Sequence, residues 1–420
     1  MFDLDHWREI LDTLGSNKLR TFLTAFGVFW GIFLLMIMLG SGAGLANGIT
    51  DGFGDGATNT FFVWPRATSA PYKGLPPGRS FELDNGDTAA LRGQIAEASV
   101  ICPRNQLGGF STGNNVVRGE KAGGFSVMGD HPEIRAIEAV RVLKGRFLNR
   151  LDLEERRKIA VIGSRVVELL FDPGEDPIGD HIRINGVYFK VVGTFRVTSQ
   201  GDEADRDNQK IFIPFTTFQQ AFNYGDRVGW FAITSVGGVP ASVAEEKTIA
   251  VLKRRHDVAP EDDRAFGHFN LEEEYNKVQG LFAGIRLLIW IVGIGTLAAG
   301  VIGVSNIMLV IVRERTRELG IRRAIGATPL KIVAQIVTEA VLLTSVAGYA
   351  GLIAGIVLVD FIASALESSG ANMEMFANPS VSLDSALKAL LVLVIAGTAA
   401  GMLPARRAIR VSPVIALRAD

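Results

Sequence analysis

The sequence predicts an α-helical membrane protein whose four transmembrane helices carry an α+β extracytoplasmic domain inserted between the first helix and the second. Four uncharged or nearly uncharged stretches are long enough to cross a bilayer core, which takes about 20 helical residues. They are spaced as one, then a gap of roughly 230 residues, then three, and the gap has the composition of a soluble domain. The 420 residues hold 43 Lys+Arg against 44 Asp+Glu, a formal charge of -1, so no polyanionic partner is expected and nucleic acid is set aside. A single cysteine, Cys102, makes no internal disulfide, and five histidines without ligand spacing predict no metal site.

Leu4, Trp7, Leu11 and Leu14 recur at helical spacing while Asp3, Asp5, Arg8, Glu9 and Asp12 take the other face, which predicts an amphipathic helix over 1–16 lying on the inner membrane surface. No charge occurs from Thr21 to Thr50, so 17–50 is read as the first span; its apolar run is longer than a signal-peptide core. Leu287 to Val312 is uncharged, Ile332 to Val359 carries only Glu339, and Ala389 to Ala405 is uncharged. These place the remaining spans at 281–312, 329–359 and 383–405, with Lys388 reaching the headgroups.

Orientation follows from the short segments. Arg8, Lys18 and Arg20 lie in the twenty residues ahead of the first charge-free run, Arg313, Arg315, Arg317, Arg322, Arg323 and Lys331 lie between the charge-free runs of the second and third spans, and Arg406, Arg407, Arg410 and Arg418 are in the tail over 406–420. The loop 360–382, with Glu367 and Glu374, has no Lys or Arg. Both termini and the segment 313–328 are therefore expected in the cytoplasm, with the domain 51–280 outside.

That domain holds 11 of the 15 prolines. Ile159 to Gly163 and Lys210 to Pro214 read as strands, Ser164 to Phe171 and Ala241 to His256 as helices, and Asn185-Gly186 as the tight turn of a hairpin between His181 and Gly193. His131, His181, His256 and His268 are scattered, no G-x-S-x-G frame surrounds Ser164, and the acidic runs Asp202 to Asp207 and Glu261 to Asp263 read as solvated loops. No catalytic residue is predicted, and the chain is not expected to be an enzyme.

The segment Arg313-Glu-Arg-Thr-Arg-Glu-Leu-Gly-Ile-Arg-Arg-Ala-Ile-Gly-Ala-Thr-Pro329 and the tail Leu403-Pro404-Ala405-Arg406-Arg407-Ala408-Ile409-Arg410-Val411-Ser412-Pro413-Val414-Ile415-Ala416-Leu417-Arg418 resemble the FtsX-type permease signature of MacB-class ABC transporters and that family's ending. The middle region is similar to that family's periplasmic core domain at Gly145-Arg146-Phe147 with Asp152, at Val161-Ile162-Gly163 and at Pro177-Ile178-Gly179. The resemblance implies a permease that relays ATP-driven motion to its periplasmic domain, by mechanotransmission, for efflux or extraction of a periplasmic or membrane-embedded substrate. A lipoprotein-releasing permease and an FtsX-like regulator of a cell-wall hydrolase are the alternatives. The partners it implies are a cytoplasmic ABC ATPase dimer and a second permease subunit, same or different, together with membrane lipid; a periplasmic adaptor and an outer-membrane channel are further candidates.

No Gly-Lys dipeptide occurs, so a Walker A loop is absent from this sequence, and the resemblance places ATP and magnesium on the ATPase. With twenty residues ahead of the first span, that ATPase is expected to be a separate subunit. The residues expected to couple to it are Arg313, Glu314, Arg317, Glu318, Gly320, Arg322, Arg323 and Gly326. Glu318 and Arg322 stand one turn apart in the favourable order for an ion pair, and Thr328 with Pro329 starts the next helix. Glu339, about 15 Å along that helix from Pro329, must face a partner inside the membrane or be protonated, with Gln335 one turn earlier to share its network; a structural hydrogen bond and a role in coupling are both open. Gly27 and Gly31, Gly295 and Gly303, Gly351 and Gly355, and Gly397 and Gly401 allow close helix packing, within one subunit or between two.

Overall fold

The computed structural model describes residues 18–52, 56–108, 113–197, 202–369 and 376–410. The amphipathic helix expected over 1–16, Glu374 and most of the tail lie outside them. Two compact units are formed, one within Met1–Gly48 and Gly280–Asp420, the other Ile49–Gln279.

In the first unit the apolar stretches form helices α1 (Lys18–Gly52), α8 (Leu271–Glu314), α10 (Pro329–Ser369) and α11 (Leu383–Ala408), each long and apolar enough to cross a membrane. In lipid only a helix satisfies every backbone group from within its own segment. α10 runs ten residues into the stretch expected as a loop over 360–382, because freedom from charge marks the lipid-facing length, whereas the helix continues for as long as its residues tolerate it. Most of the spaced glycines are used inside this unit. A Cβ on Gly351 would lie 2.4 Å from the carbonyl oxygen of Phe29 in α1, one on Gly397 would lie 2.2 Å from Thr344 Oγ1 in α10, and Gly27 faces Gly300 of α8. Gly295 and Gly303 are different: a Cβ there meets nothing within 4 Å.

The second unit is built on a twelve-stranded sheet. Its elements run β1 (Thr60–Pro65), β2 (Leu83–Asp84), α2 (Asn85–Gln94), β3 (Ala98–Leu107), β4 (Val116–Arg118), β5 (Lys121–Gly123), β6 (Ser126–Asp130), β7 (Val140–Gly145), α3 (Arg150–Glu154), β8 (Ile159–Gly163), α4 (Ser164–Leu170), β9 (His181–Ile184) and β10 (Val187–Val197). There follow α5 (Asp202–Asp207), β11 (Lys210–Pro214), α6 (Phe215–Ala221), β12 (Arg227–Val228), β13 (Trp230–Ser235), α7 (Ala241–Arg255) and β14 (Phe266–Asn270).

The strand order is β14-β1-β13-β3-β6-β11-β8-β10-β9-β4-β5, with β7 also on β10 and β2 pairing β12 apart. β3 joins the two halves: Ala98 to Arg104 pair with β13, and Asn105 to Leu107 with β6. β8 is buried on both faces, Ala160 and Ile162 entering one core, Ile159 and Val161 the other. A register shift in β10 between Val191 and Gly193 turns the strand over, so Phe189 and Val191 serve the first of these cores while Phe195 and Val197 serve the second. The expected turn is present, with φ of 44° at Asn185 and 87° at Gly186.

The first acidic run is not the loop expected, and in the second, a loop with Glu261 and Asp263 exposed as expected, Asp262 is the exception. Asp202–Asp207 is helical, and Asp262 is 2% exposed. Asp262 accepts from the Ser69 N–H (2.6 Å) and hydroxyl (2.6 Å) and from the N–H groups of Ala70 (3.0 Å) and Arg264 (3.1 Å). It pins the proline-rich segment after β1 from 193 residues away. Charge runs read as solvated only while no distant N–H groups come to meet them.

Candidate functional site

The link between α8 and α10 has no apolar face wide enough for a core, so its shape is set by backbone stops and side-chain ties. α8 gives way at Arg315 (φ -95°, ψ 13°) to a short helix, α9 (Thr316–Ala324). Hydrogen bonds from Arg315 N to Ile311 O (2.9 Å) and from Leu319 N to Arg315 O (3.0 Å) continue across the break. At its far end Gly326 takes φ of 104°, and the bonds Ala327 N to Arg322 O (3.0 Å) and Gly326 N to Arg323 O (3.1 Å) close α9 in the Schellman pattern that a positive φ permits. α10 then begins at Pro329, whose missing N–H costs nothing in a first turn.

The structure divides the eight expected coupling residues into two sets. Glu318, Gly320, Arg322 and Arg323 turn towards the rest of the membrane unit. Glu318 accepts from Arg315 Nε (2.9 Å) and Nη2 (3.1 Å) and from Arg322 Nη2 (2.9 Å), the expected one-turn pair with a second arginine added. Arg322 Nη1 also donates to Gln335 Oε1 on α10 (3.1 Å), and Arg323 Nη1 donates to the carbonyl of Ile409 at the end of α11 (2.8 Å). Gly320 is buried beside Leu319.

Arg313, Glu314, Arg317 and Gly326 are exposed, and they share the outer surface with Ile321 (41% exposed) and Ile325 (82%). On α9 the exposed Arg317 and Ile321 stand one turn apart, with the exposed Arg313 at the end of α8 before them and the exposed Ile325 just past the end of α9.

Glu339 is 7% exposed, and its Oε1 accepts from Arg315 Nη1 and from Gln335 Nε2, both at 3.4 Å. The expected Gln335–Glu339 network therefore exists, and Arg315, at the break between α8 and α9, is the cation that completes it. Sequence reasoning missed Arg315 because it is one of five arginines in eleven residues; its place three residues before Glu318 was the available signal. It missed Ile321 and Ile325 because two apolar residues in a charged run read as padding.

Among its described residues the second unit offers no comparable constellation for chemistry. His256 Nε2 stands 2.8 Å from Asp87 Oδ2, and Arg255 Nε donates to Oδ1 at 2.5 Å. Burial pushes the Asp87 carboxyl up, but the bonds from His256, Arg255 and the Asp84 N–H hold it below the usual range. Asp87 is also the third residue of α2, capping it together with Asp84, and Phe81 stacks on His256 at 5.1 Å. The dyad ties α2 to α7. Burial pushes the Cys102 thiol up, which suits an inert core side chain. Among the described residues no group of three His, Cys, Asp or Glu side chains could hold a metal ion.

Residues 21–253 match the family model described as MacB-like periplasmic core domain, and residues 290–413 match that described as FtsX-like permease C-terminal. The pyoverdine export ATP-binding/permease protein PvdT of Pseudomonas entomophila (strain L48) is 28% identical over 410 residues, covering 96% of this chain and 58% of its own length. The macrolide export ATP-binding/permease protein MacB of Vibrio parahaemolyticus serotype O3:K6 (strain RIMD 2210633) is 28% identical over 421 residues, covering 99% of this chain and 60% of its own. The chain thus spans about three-fifths of the length of these curated relatives. The crystal structure of the periplasmic region of MacB from Actinobacillus actinomycetemcomitans covers 53% of this chain, and 94% of its own, at 19% identity and a TM-score of 0.42.

Proposed function

Because the chain belongs to the MacB/FtsX-type ABC transporter permeases, we propose that it is a multi-pass membrane subunit that relays the nucleotide-driven motion of a cytoplasmic ABC ATPase to its extracytoplasmic domain. The observation that carries this reading is the two-faced link. Arg313, Arg317, Ile321 and Ile325 stand outward, while Arg322 and Arg323 are bonded inward to helices that cross the bilayer and Glu318 holds Arg315 and Arg322. An exposed isoleucine pair beside two arginines suits a protein partner: apolar area supplies affinity, and charge sets the orientation. A force applied to that outward face reaches α10 through Gln335 and Glu339, so no separate lever is needed.

ATP and magnesium would be bound by the ATPase, acting as a dimer on two permease copies. Both curated relatives described above are named as exporters, one of a macrolide and one of pyoverdine, which supports efflux; a periplasmic or membrane-embedded substrate is part of the proposal.

The test uses the full chain with its ATPase in lipid nanodiscs. Arg317→Glu combined with Ile325→Asp should reduce the permease-dependent part of ATP turnover at least tenfold without changing the thermal unfolding of the permease. Turnover that stays at the unmodified level would remove the link from the mechanism. Reporter fusions at residues 150 and 320 should report opposite sides of the membrane.

A further inference from the structure

The inward ties of the link do not all reach the same helix. Arg315 and Arg322 grip α10 through Glu339 and Gln335, whereas Arg323 donates to Ile409, the residue that closes α11. Ile409 N returns to the carbonyl of Ala405, but the Ile409 carbonyl lies past the end of α11, and the residue four places on, Pro413, has no N–H to offer it. Such a carbonyl also stands at the negative end of the helix dipole, which makes a guanidinium its suited partner.

Arg323 is well placed to hold on. Its own carbonyl accepts one of the two bonds of the turn that closes α9, so its backbone cannot unwind without losing that closure. Elsewhere α11 packs on α10 through Gly397 and Gly401, the nearer of which lies eight residues from Ile409, roughly 12 Å along the helix. Nearer the link, Ala405 and Ala408 are buried in the apolar core of the membrane unit, so without Arg323 the end of α11 would be placed by that packing, which does not fix direction as a charged hydrogen bond does.

We propose that Arg323 is a positioning residue that latches the last membrane helix to the link, so that α11 follows α9 directly and not through α10. The proposal rests on α9 acting as the relay described above, and it makes the relay two-armed: Arg315 and Arg322 drive the third span, Arg323 the fourth.

The test places spin labels at Ala324→Cys and Arg406→Cys, both exposed positions, in a Cys102→Ser background of the full chain in nanodiscs. Label-to-label distances are recorded for the permease alone, with its ATPase, and with ATPase and Mg–ATP. With Arg323 present, the distribution should be narrow and should shift little on adding Mg–ATP. Arg323→Gln should broaden it in the permease alone, and Mg–ATP should then move its mean by several ångströms; Arg323→Lys, which keeps a cationic donor, should restore the narrow peak. An Arg323→Gln distribution identical to that of the unmodified chain overturns the latch whatever becomes of the ATPase reading, because the first measurement contains no ATPase. Loss of ATPase co-purification with an unaltered distribution also overturns it, assigning Arg323 to docking instead.

Discussion

In the Ile49–Gln279 unit a guanidinium is buried almost completely. Arg104, 3% exposed, makes two bonds to Asp130 (2.7 and 2.9 Å) and meets Glu138 at 2.7 Å, with Lys210 behind Glu138 at 3.2 Å. In the membrane unit, the buried polar side chains among the described residues are Glu339 and Thr344, and tight packing comes from glycine backbones set against carbonyls and Cα atoms. The two surroundings explain the difference. A domain in water gains from burying apolar surface and can carry an internal ion network on the strength of that gain. Helices in lipid gain nothing from hiding leucine, so close approach through small residues and a few hydrogen bonds decide how they fit.

Breaking the ion network should have the largest effect. Asp130→Ala leaves the Arg104 charge without its bidentate partner and should cost about 3–5 kcal/mol, whereas Arg104→Met with Asp130→Leu should be close to neutral. Thermal unfolding of the full chain, followed by protease resistance of the extracytoplasmic unit, measures both. A loss below about 1 kcal/mol for the single change would mean that the network does not set this unit's shape.

Next comes glycine packing. Gly351→Ala forces a methyl group to 2.4 Å from the Phe29 carbonyl oxygen and should cost about 1–3 kcal/mol, read from unfolding in detergent. Gly295→Ala, with open space around it, should cost nothing measurable; equal losses at both positions would remove glycine approach as the packing rule here.

The smallest effect is a pH dependence confined to the water-facing unit. Burial pushes the Asp262 carboxyl up, but hydrogen bonds from the Ser69 hydroxyl and from the N–H groups of Ser69, Ala70 and Arg264 more than offset it, holding the pKa at about 2. A depressed folded-state pKa stabilises the fold above the unfolded value near 4, and that contribution is lost as pH falls from there through about 2. Asp262→Asn should therefore flatten the acid limb of a melting-temperature profile of this unit. An unchanged limb would show that those N–H groups are satisfied without the carboxylate.

Local pattern carried far in the sequence. The strands Ile159–Gly163 and Lys210–Pro214 were legible because short β-branched runs end at turn residues, and the Asn185-Gly186 hairpin because few sequences tolerate two consecutive positive φ values. The four spans were legible because a bilayer imposes length and apolarity together. The splitting of the link was not, since Arg313, Arg322 and Arg323 are alike in type and differ only in what lies opposite them. The anchoring by Asp262 and the pairing of Arg104 with Asp130 were hidden for the same reason, their partners being supplied by chain 193 and 26 residues away.

Hydropathy, helix stops and charge are properties of consecutive residues, so the primary structure alone determined the number of spans, the place of the inserted domain and the composition of the link. Which arginines face inward, that Arg315 sits at the break and reaches Glu339, and that Arg323 crosses to the end of the last helix depend on separate segments being brought within hydrogen-bond distance. Those facts exist only once the helices have packed, because a guanidinium finds its partner by geometry that no stretch of neighbouring residues encodes.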